Sequence, residues 1–283
     1  MTSISDTKEN IKVLVRIRPK LEREYDLCNQ IRVEENFMLV QCNKETKQFS
    51  FDHIATENSS QYDVFEKTAK PIVDSLLMGY NGTIFVYGQT GSGKTHTLLG
   101  NNYSISDYSL ENALKLSILQ NEVEHKGILP LSIEYLFNLI NEQNENAYRT
   151  KLTCSYLEIY KEGLYDLLDS FTVNKQLQIR ESTNKSMMVE GLLKIPMTSV
   201  EMALDIVKKG SLKRHVGSTS MNSESSRSHA VFSIYLENKS NTRENKVRTK
   251  KSVFHFIDLA GSERQSATDA VGDRLNEASK INK

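Results

Sequence analysis

Between Gly88 and Thr97 the chain reads GQTGSGKTHT, which fits the pattern G-x-x-x-x-G-K-[ST] through Gly88, Gly93, Lys94 and Thr95. Each residue type has a physical use there. Gly88, Gly91 and Gly93 let the backbone wrap tightly and turn its N–H groups inward, toward phosphate oxygens. Lys94 adds a point charge for the outer phosphates, and the Thr95 hydroxyl is a ligand for Mg²⁺. A following helix would offer its positive end to the same anion. The alternative is a glycine-rich turn with no ligand. Context argues against it, because the loop follows the apolar run TIFVY and opens the helix-like KTHTLL.

Two later stretches extend this chemistry. NSESSRSH, from Asn222 to His229, is rich in hydroxyls, and DLAGSE, from Asp258 to Glu263, closes an apolar run with Asp-x-x-Gly. Taken singly, each has a plain reading. A serine-rich stretch is usually a solvated loop, an aspartate after a strand is often a cap, and Arg227 and Glu263 would be surface charges worth little as a pair. Taken together they are the phosphate loop, the metal-side sensor and the outer-phosphate sensor that a nucleotide switch requires.

These stretches also resemble one family. NSESSRSH matches the kinesin pattern N-x-x-S-S-R-S-H, and DLAGSE matches the second switch of kinesins at all six positions. YNGTIFVYGQTGSGKTHT, SYLEIYKEGLYDLL and RIRP near the N-terminus are similar to kinesin segments as well. They occur in the family's order from Arg16 to Glu263, so the resemblance covers nearly the whole chain. Lys161 departs from it, standing where kinesins more often carry asparagine.

The resemblance implies a microtubule motor domain that binds ATP and ADP with Mg²⁺ and hydrolyses ATP. Gly88, Gln89, Thr90, Gly91, Ser92, Gly93 and Lys94 would wrap the phosphates. Thr95 and Ser226 would ligate Mg²⁺, with Asp258 holding it through water. Asn222 and Ser225 would line the outer phosphate, and the Gly261 amide would report its presence. Arg227 and Glu263 would form an ion pair that closes the site and orders the attacking water. Arg16, Pro19 and His96 would border the adenine.

Such residues need a scaffold. Val13, Val15 and Ile17 alternate with Arg16 and Arg18 in a strand that Pro19 stops. From Tyr62 to Met78, Phe65, Ala69, Ile72, Val73 and Leu76 share a helical face, with Pro71 expected to kink that helix or displace its start. TIFVY suits a strand buried on both faces. ILPLSIEYLFNLI and SVEMALDIVKKG have helical patterns, the second expected to close at Gly210. LTCSYLEIY reads as a strand, and HAVFSIYLEN and KKSVFHFIDL as a strand pair. Residues 101–126 are polar and aperiodic, an expected surface excursion. Strands alternating with helices predict an α/β fold, and the kinesin resemblance makes it a P-loop NTPase with helices on both faces of a central sheet. No linker-like composition divides residues 1–283.

Composition narrows the class. At 38% hydrophobic and 25% charged residues the chain reads as an ordinary globular protein, and 36 basic residues balance 36 acidic ones. No global field points to nucleic acid or a membrane surface, and no apolar run reaches a membrane span. Cys28, Cys42 and Cys154 are too few and too scattered for a disulfide framework, which suggests a reducing compartment. A cytoplasmic, cytoskeletal protein is expected, with subfamily, cargo, direction and oligomeric state left open.

The chain ends at NEASKINK, which in kinesins falls within the long helix after the second switch. The resemblance therefore implies a domain incomplete at its C-terminus, lacking most tubulin-facing helices, the neck linker and a strand between the first strand and that of the phosphate loop. Weakened microtubule binding and unpaired strand edges are expected, at roughly 1–3 kcal/mol per unpaired buried group. The alternative function is a non-motile nucleotide- or partner-binding protein of kinesin-like fold. RESTNKSMMVEG, Arg180–Gly191, corresponds to a tubulin-contacting loop with Lys185 at a basic position. It equally suits a polar hairpin with Met187 and Met188 packed inward.

Overall fold

In a computed structural model, the chain is described over residues 11–24, 31–42, 45–101, 125–143, 149–170, 175–183, 185–216, 227–241 and 247–263. Its centre is a mixed sheet. β7 (Arg149–Tyr160), β12 (His229–Asn241) and β13 (Val247–Asp258) run antiparallel in its middle, and β6 (Gly82–Val86) lies parallel to β13 at one edge. On the other side follow β8 (Gly163–Asp166), β9 (Gln176–Glu181) and β10 (Met187–Glu190), while β11 (Ile195–Pro196) pairs with β7. β1 (Leu14–Arg16) pairs in parallel with β5 (His53–Ala55), and β2 (Ile31–Glu34), β3 (Phe37–Cys42) and β4 (Glu45–Ser50) form a separate three-stranded sheet. Among the described residues β6 has one strand neighbour, β13, and β1 has one, β5.

One face of the sheet is apolar because the even-numbered residues of three strands coincide in register. Phe232 stands beside Tyr156 and Phe256, and Ile234 beside Cys154 and Phe254. All six are buried, and the Phe254 and Phe256 rings lie 4.1 Å apart. Helices α1 (Gln61–Met78), α2 (Lys94–Leu99), α3 (Ile128–Gln143) and α4 (Val200–Val216) cover this face. The described helices lie on that side only. On the other face Phe85 is 57% exposed, and residues 264–283 fall outside the described ones. The 101–126 excursion falls outside them over residues 102–124.

Two helices run further than their breakers suggest. Pro71 lies inside α1 without ending it, since Val64, Phe65, Ala69, Val73 and Leu76 bury one continuous stripe. α4 does not stop at Gly210 but continues to Val216. Gly210 sits against the Tyr156 ring, where a Cβ would collide, so it is a packing residue and not a cap. The last turns of α4 then carry Arg214 to the end of the sheet where the phosphate loop begins.

Lys161 and Glu162 form the two-residue turn between β7 and β8, with φ of 49° and 67°. Such a hairpin turn favours asparagine at its first position, which explains why the Lys161 departure is a matter of turn chemistry. In the β9–β10 hairpin the alternative with inward-packed methionines is not found: Met187 is 69% and Met188 50% exposed.

Candidate functional site

The phosphate loop joins the parallel strand β6 to α2. Gly91 and Gly93 have φ of 78° and 93°, values that side-chain-bearing residues rarely adopt, and a Cβ on either would point into open space. Gly88 is required for a different reason: a Cβ there would lie 2.5 Å from the Ser92 hydroxyl. Ser92 in turn donates its amide to the Gln89 carbonyl at 3.1 Å. Lys94 folds back over the loop, donating from Nζ to the Gly88 and Gln89 carbonyls at 2.9 and 3.0 Å. Partial burial lowers its pKa, against the pull of Asp258 and Glu263.

The second motif lies alongside. Leu259 and Ser262 donate their amides to the Val86 and Gly88 carbonyls at 3.4 and 3.2 Å, extending the β6–β13 pairing into the loop. Asp258 ends β13 and is almost fully buried. Its Oδ2 accepts from the Thr95 hydroxyl at 2.8 Å and from Arg214 Nη1 at 2.6 Å. Its Oδ1 is buried with no hydrogen-bond partner among the described residues. A hydroxyl beside a carboxylate with one buried, unengaged oxygen suits a hydrated divalent cation, so Thr95 and Asp258 fit the Mg²⁺ role expected of them.

Arg214 is the residue that sequence reading missed. Its side chain is 2% exposed, and besides Asp258 it holds the Ser228 hydroxyl and carbonyl at 3.2 and 2.9 Å. Glu158 lies 3.9 Å from its Nε. Burial alone would lower the Arg214 pKa, but Asp258, Tyr156 and Glu158 reverse that, and the net shift is upward. The only hint in the sequence was a basic residue at the end of an amphipathic helix. His229 adds a second tie, its Nδ1 accepting from the Ala260 amide at 3.1 Å.

Glu263 folds its carboxylate onto the phosphate loop. One oxygen accepts from the Thr90 amide at 2.9 Å and the other from the Thr90 hydroxyl. The reason is local: a Cβ on Gly261 would collide with this carboxylate, so glycine leaves room for Glu263 to fold onto the loop. Burial would raise the Glu263 pKa, but the bonds from Thr90 and the nearby Lys94 more than offset it, and the net shift is downward. Arg227 stands just before Ser228 at the entry to β12. Asn222, Ser225 and Ser226 lie outside the described residues.

At the other end of the loop Arg16 and His96 are joined through Gln61. Arg16 Nη1 donates to Gln61 Oε1 at 2.7 Å and to the Thr97 hydroxyl at 3.0 Å. Gln61 Nε2 donates to the His96 carbonyl at 2.8 Å. The His96 pKa is lowered, by burial first and then by the charges of Arg16 and His125. Pro19 is exposed beside Arg18, which donates to the Gly91 carbonyl at 3.1 Å and pairs with Glu24 at 2.6 Å. Arg18 was not expected to touch the loop.

Comparison with known proteins agrees with this geometry. The profile of the kinesin motor domain matches residues 14–283. The chain is 43% identical over 288 residues to the human kinesin-like protein KIF15, covering 99% of this chain and 20% of that protein. It is 39% identical to the rice kinesin-like protein KIN-12E, covering 97% of this chain and 14% of the relative. The structure of a fast kinesin superposes with a TM-score of 0.80 at 34% identity, covering 96% of this chain and 71% of that one. The chain thus spans between about a tenth and a fifth of the length of the curated relatives it matches.

Proposed function

The chain belongs to the kinesin motor-domain family, and from that premise we propose that it binds Mg-ATP at the Gly88–Thr95 loop, hydrolyses it, and serves cytoplasmic microtubule-based movement. The observation that carries the reading is Thr95 and Asp258 meeting at 2.8 Å beneath a glycine-rich loop, with a buried carboxylate oxygen still unengaged. The loop amides would hold the phosphate chain, and Lys94 would move from the Gly88 and Gln89 carbonyls onto its outer oxygens. Mg²⁺ would be held by Thr95, Ser226 and, through water, Asp258, and when bound it would supply charge neutralisation of the phosphate oxygens. Asn222 and Ser225 would line the outer phosphate, and Gly261 would offer its amide to it. Arg16, Pro19 and His96 would border the base.

Glu263 gives the switch its logic. Its carboxylate and an outer phosphate are both anions competing for donors on one loop, so the two exclude each other. Arrival of the phosphate would release Glu263 from Thr90 and free it for Arg227. Motion of the Asp258–Glu263 segment would carry the nucleotide state outward to a microtubule-facing surface.

The test is titration of Lys94→Ala with Mg-ADP. Affinity should fall at least a hundredfold, about 2.7 kcal/mol or more. Unchanged affinity would remove the phosphate assignment.

A further inference from the structure

The base end of the site contains a residue that chemistry does not require. Gln61 begins α1 and is 3% exposed. It is fixed there by a capping box: the Ser60 amide donates to Asp63 at 2.8 Å, and the Asp63 amide to the Ser60 hydroxyl at 3.1 Å. A buried amide is costly unless its donors and acceptor are engaged. Gln61 spends them on two residues from different elements, Arg16 at the end of β1 and His96 in α2. Its Nε2 also lies 3.4 Å from His96 Nδ1.

The consequences are specific. Both hydrogens of Arg16 Nη1 go to Gln61 and Thr97, which sets the guanidinium plane and leaves Nε and Nη2 unengaged among the described residues. A donor at Gln61 Nε2 makes His96 Nδ1 an acceptor, which places the ring proton on the opposite nitrogen. We propose that Gln61 is a positioning residue for the base-and-ribose end of the nucleotide, acting through Arg16 and His96 and not by touching the ligand. This rests on the reading that Arg16 and His96 border the base. A glutamine that merely cross-linked β1 to α2 would stabilise the fold without favouring one ligand over another.

The test compares two ligands that share the phosphate loop and differ in the base. Affinities of the whole chain for Mg-ADP and Mg-pyrophosphate are measured by calorimetry. Gln61→Met keeps the length and removes every hydrogen bond. It should weaken Mg-ADP about tenfold, as expected for loss of charge-assisted positioning, and leave Mg-pyrophosphate unchanged. Gln61→Glu still accepts from Arg16 but cannot donate to His96, and should fall between wild type and Gln61→Met. In steady-state ATP hydrolysis the KM should rise while kcat holds. If Gln61→Met leaves the ratio of the two affinities unchanged while Arg16→Ala lowers it, Gln61 is only structural and the proposal falls. If Arg16→Ala leaves the ratio unchanged, the base-site reading itself fails and takes the proposal with it. Should Gln61→Met also weaken pyrophosphate, Thr97→Val, which removes the other Nη1 acceptor, decides by the same ratio: a drop supports the positioning of Arg16, and no drop overturns it.

Discussion

At one wall of the phosphate loop Thr95, Asp258, Arg214 and Ser228 interlock around a full ion pair whose side chains are 2% and 3% exposed. At the other wall Arg16, Gln61, Thr97 and His96 are joined by bonds through a neutral amide, and Arg16 and His96 keep contact with solvent. The difference follows from what each wall must hold. A metal-side carboxylate needs a fixed charge and a dry setting, and once buried it must be paired. A base is a neutral ring, recognised by shape and a few donors, so its wall needs direction more than charge. The first wall should therefore break abruptly and the second by degrees.

Arg214→Ala tests the abrupt case and carries the largest expected effect. It strands Asp258 in the interior without its partner, which typically costs about 3–5 kcal/mol. Thermal denaturation should show a large fall in Tm, and restoring neutrality with Asp258→Asn in the same chain should recover part of it. A fall no larger than that of a surface substitution would mean the pair is not needed.

Ser60→Ala tests the graded wall. It removes one half of the capping box that fixes Gln61, and should cost about 1 kcal/mol of stability. Mg-ADP should weaken slightly and Mg-pyrophosphate should not. An equal loss for both ligands would mean the cap acts on the whole loop.

The smallest effect is on pH. The folded His96 pKa lies below its ordinary value of 6.5, so as pH falls the unfolded chain takes up this proton first. Stability should decline from about pH 6.5 downward, and the decline should be shallower in His96→Asn. A decline of equal slope in both proteins would assign it to other groups.

How much of this was legible depends on distance along the chain. The phosphate loop could be read because its chemistry lies in consecutive residues, and the two switch motifs because their order was itself a pattern. The β7–β12–β13 core was legible because alternation in each strand predicts a buried face. Arg214 was not, since nothing local distinguishes it from any other basic residue near a helix end, and only the continuation of α4 past Gly210 delivers it to Asp258. The contact of Glu263 with Thr90 was not legible for the same reason. A carboxylate five residues past the end of β13 can turn in several directions, and the space over Gly261 lets it reach Thr90.

The sequence by itself determined the family, the place of the phosphate-loop motif and the α/β alternation, because these rest on residue type and local spacing. Tertiary structure alone decided that Gln61 joins Arg16 to His96, that Arg214 bridges Asp258 and Ser228, and that Glu263 rests on Thr90. Those contacts span between 14 and 173 residues of chain. A hydrogen bond requires heavy atoms within about 3 Å, and at such separations only the packing of helices on the sheet sets that distance.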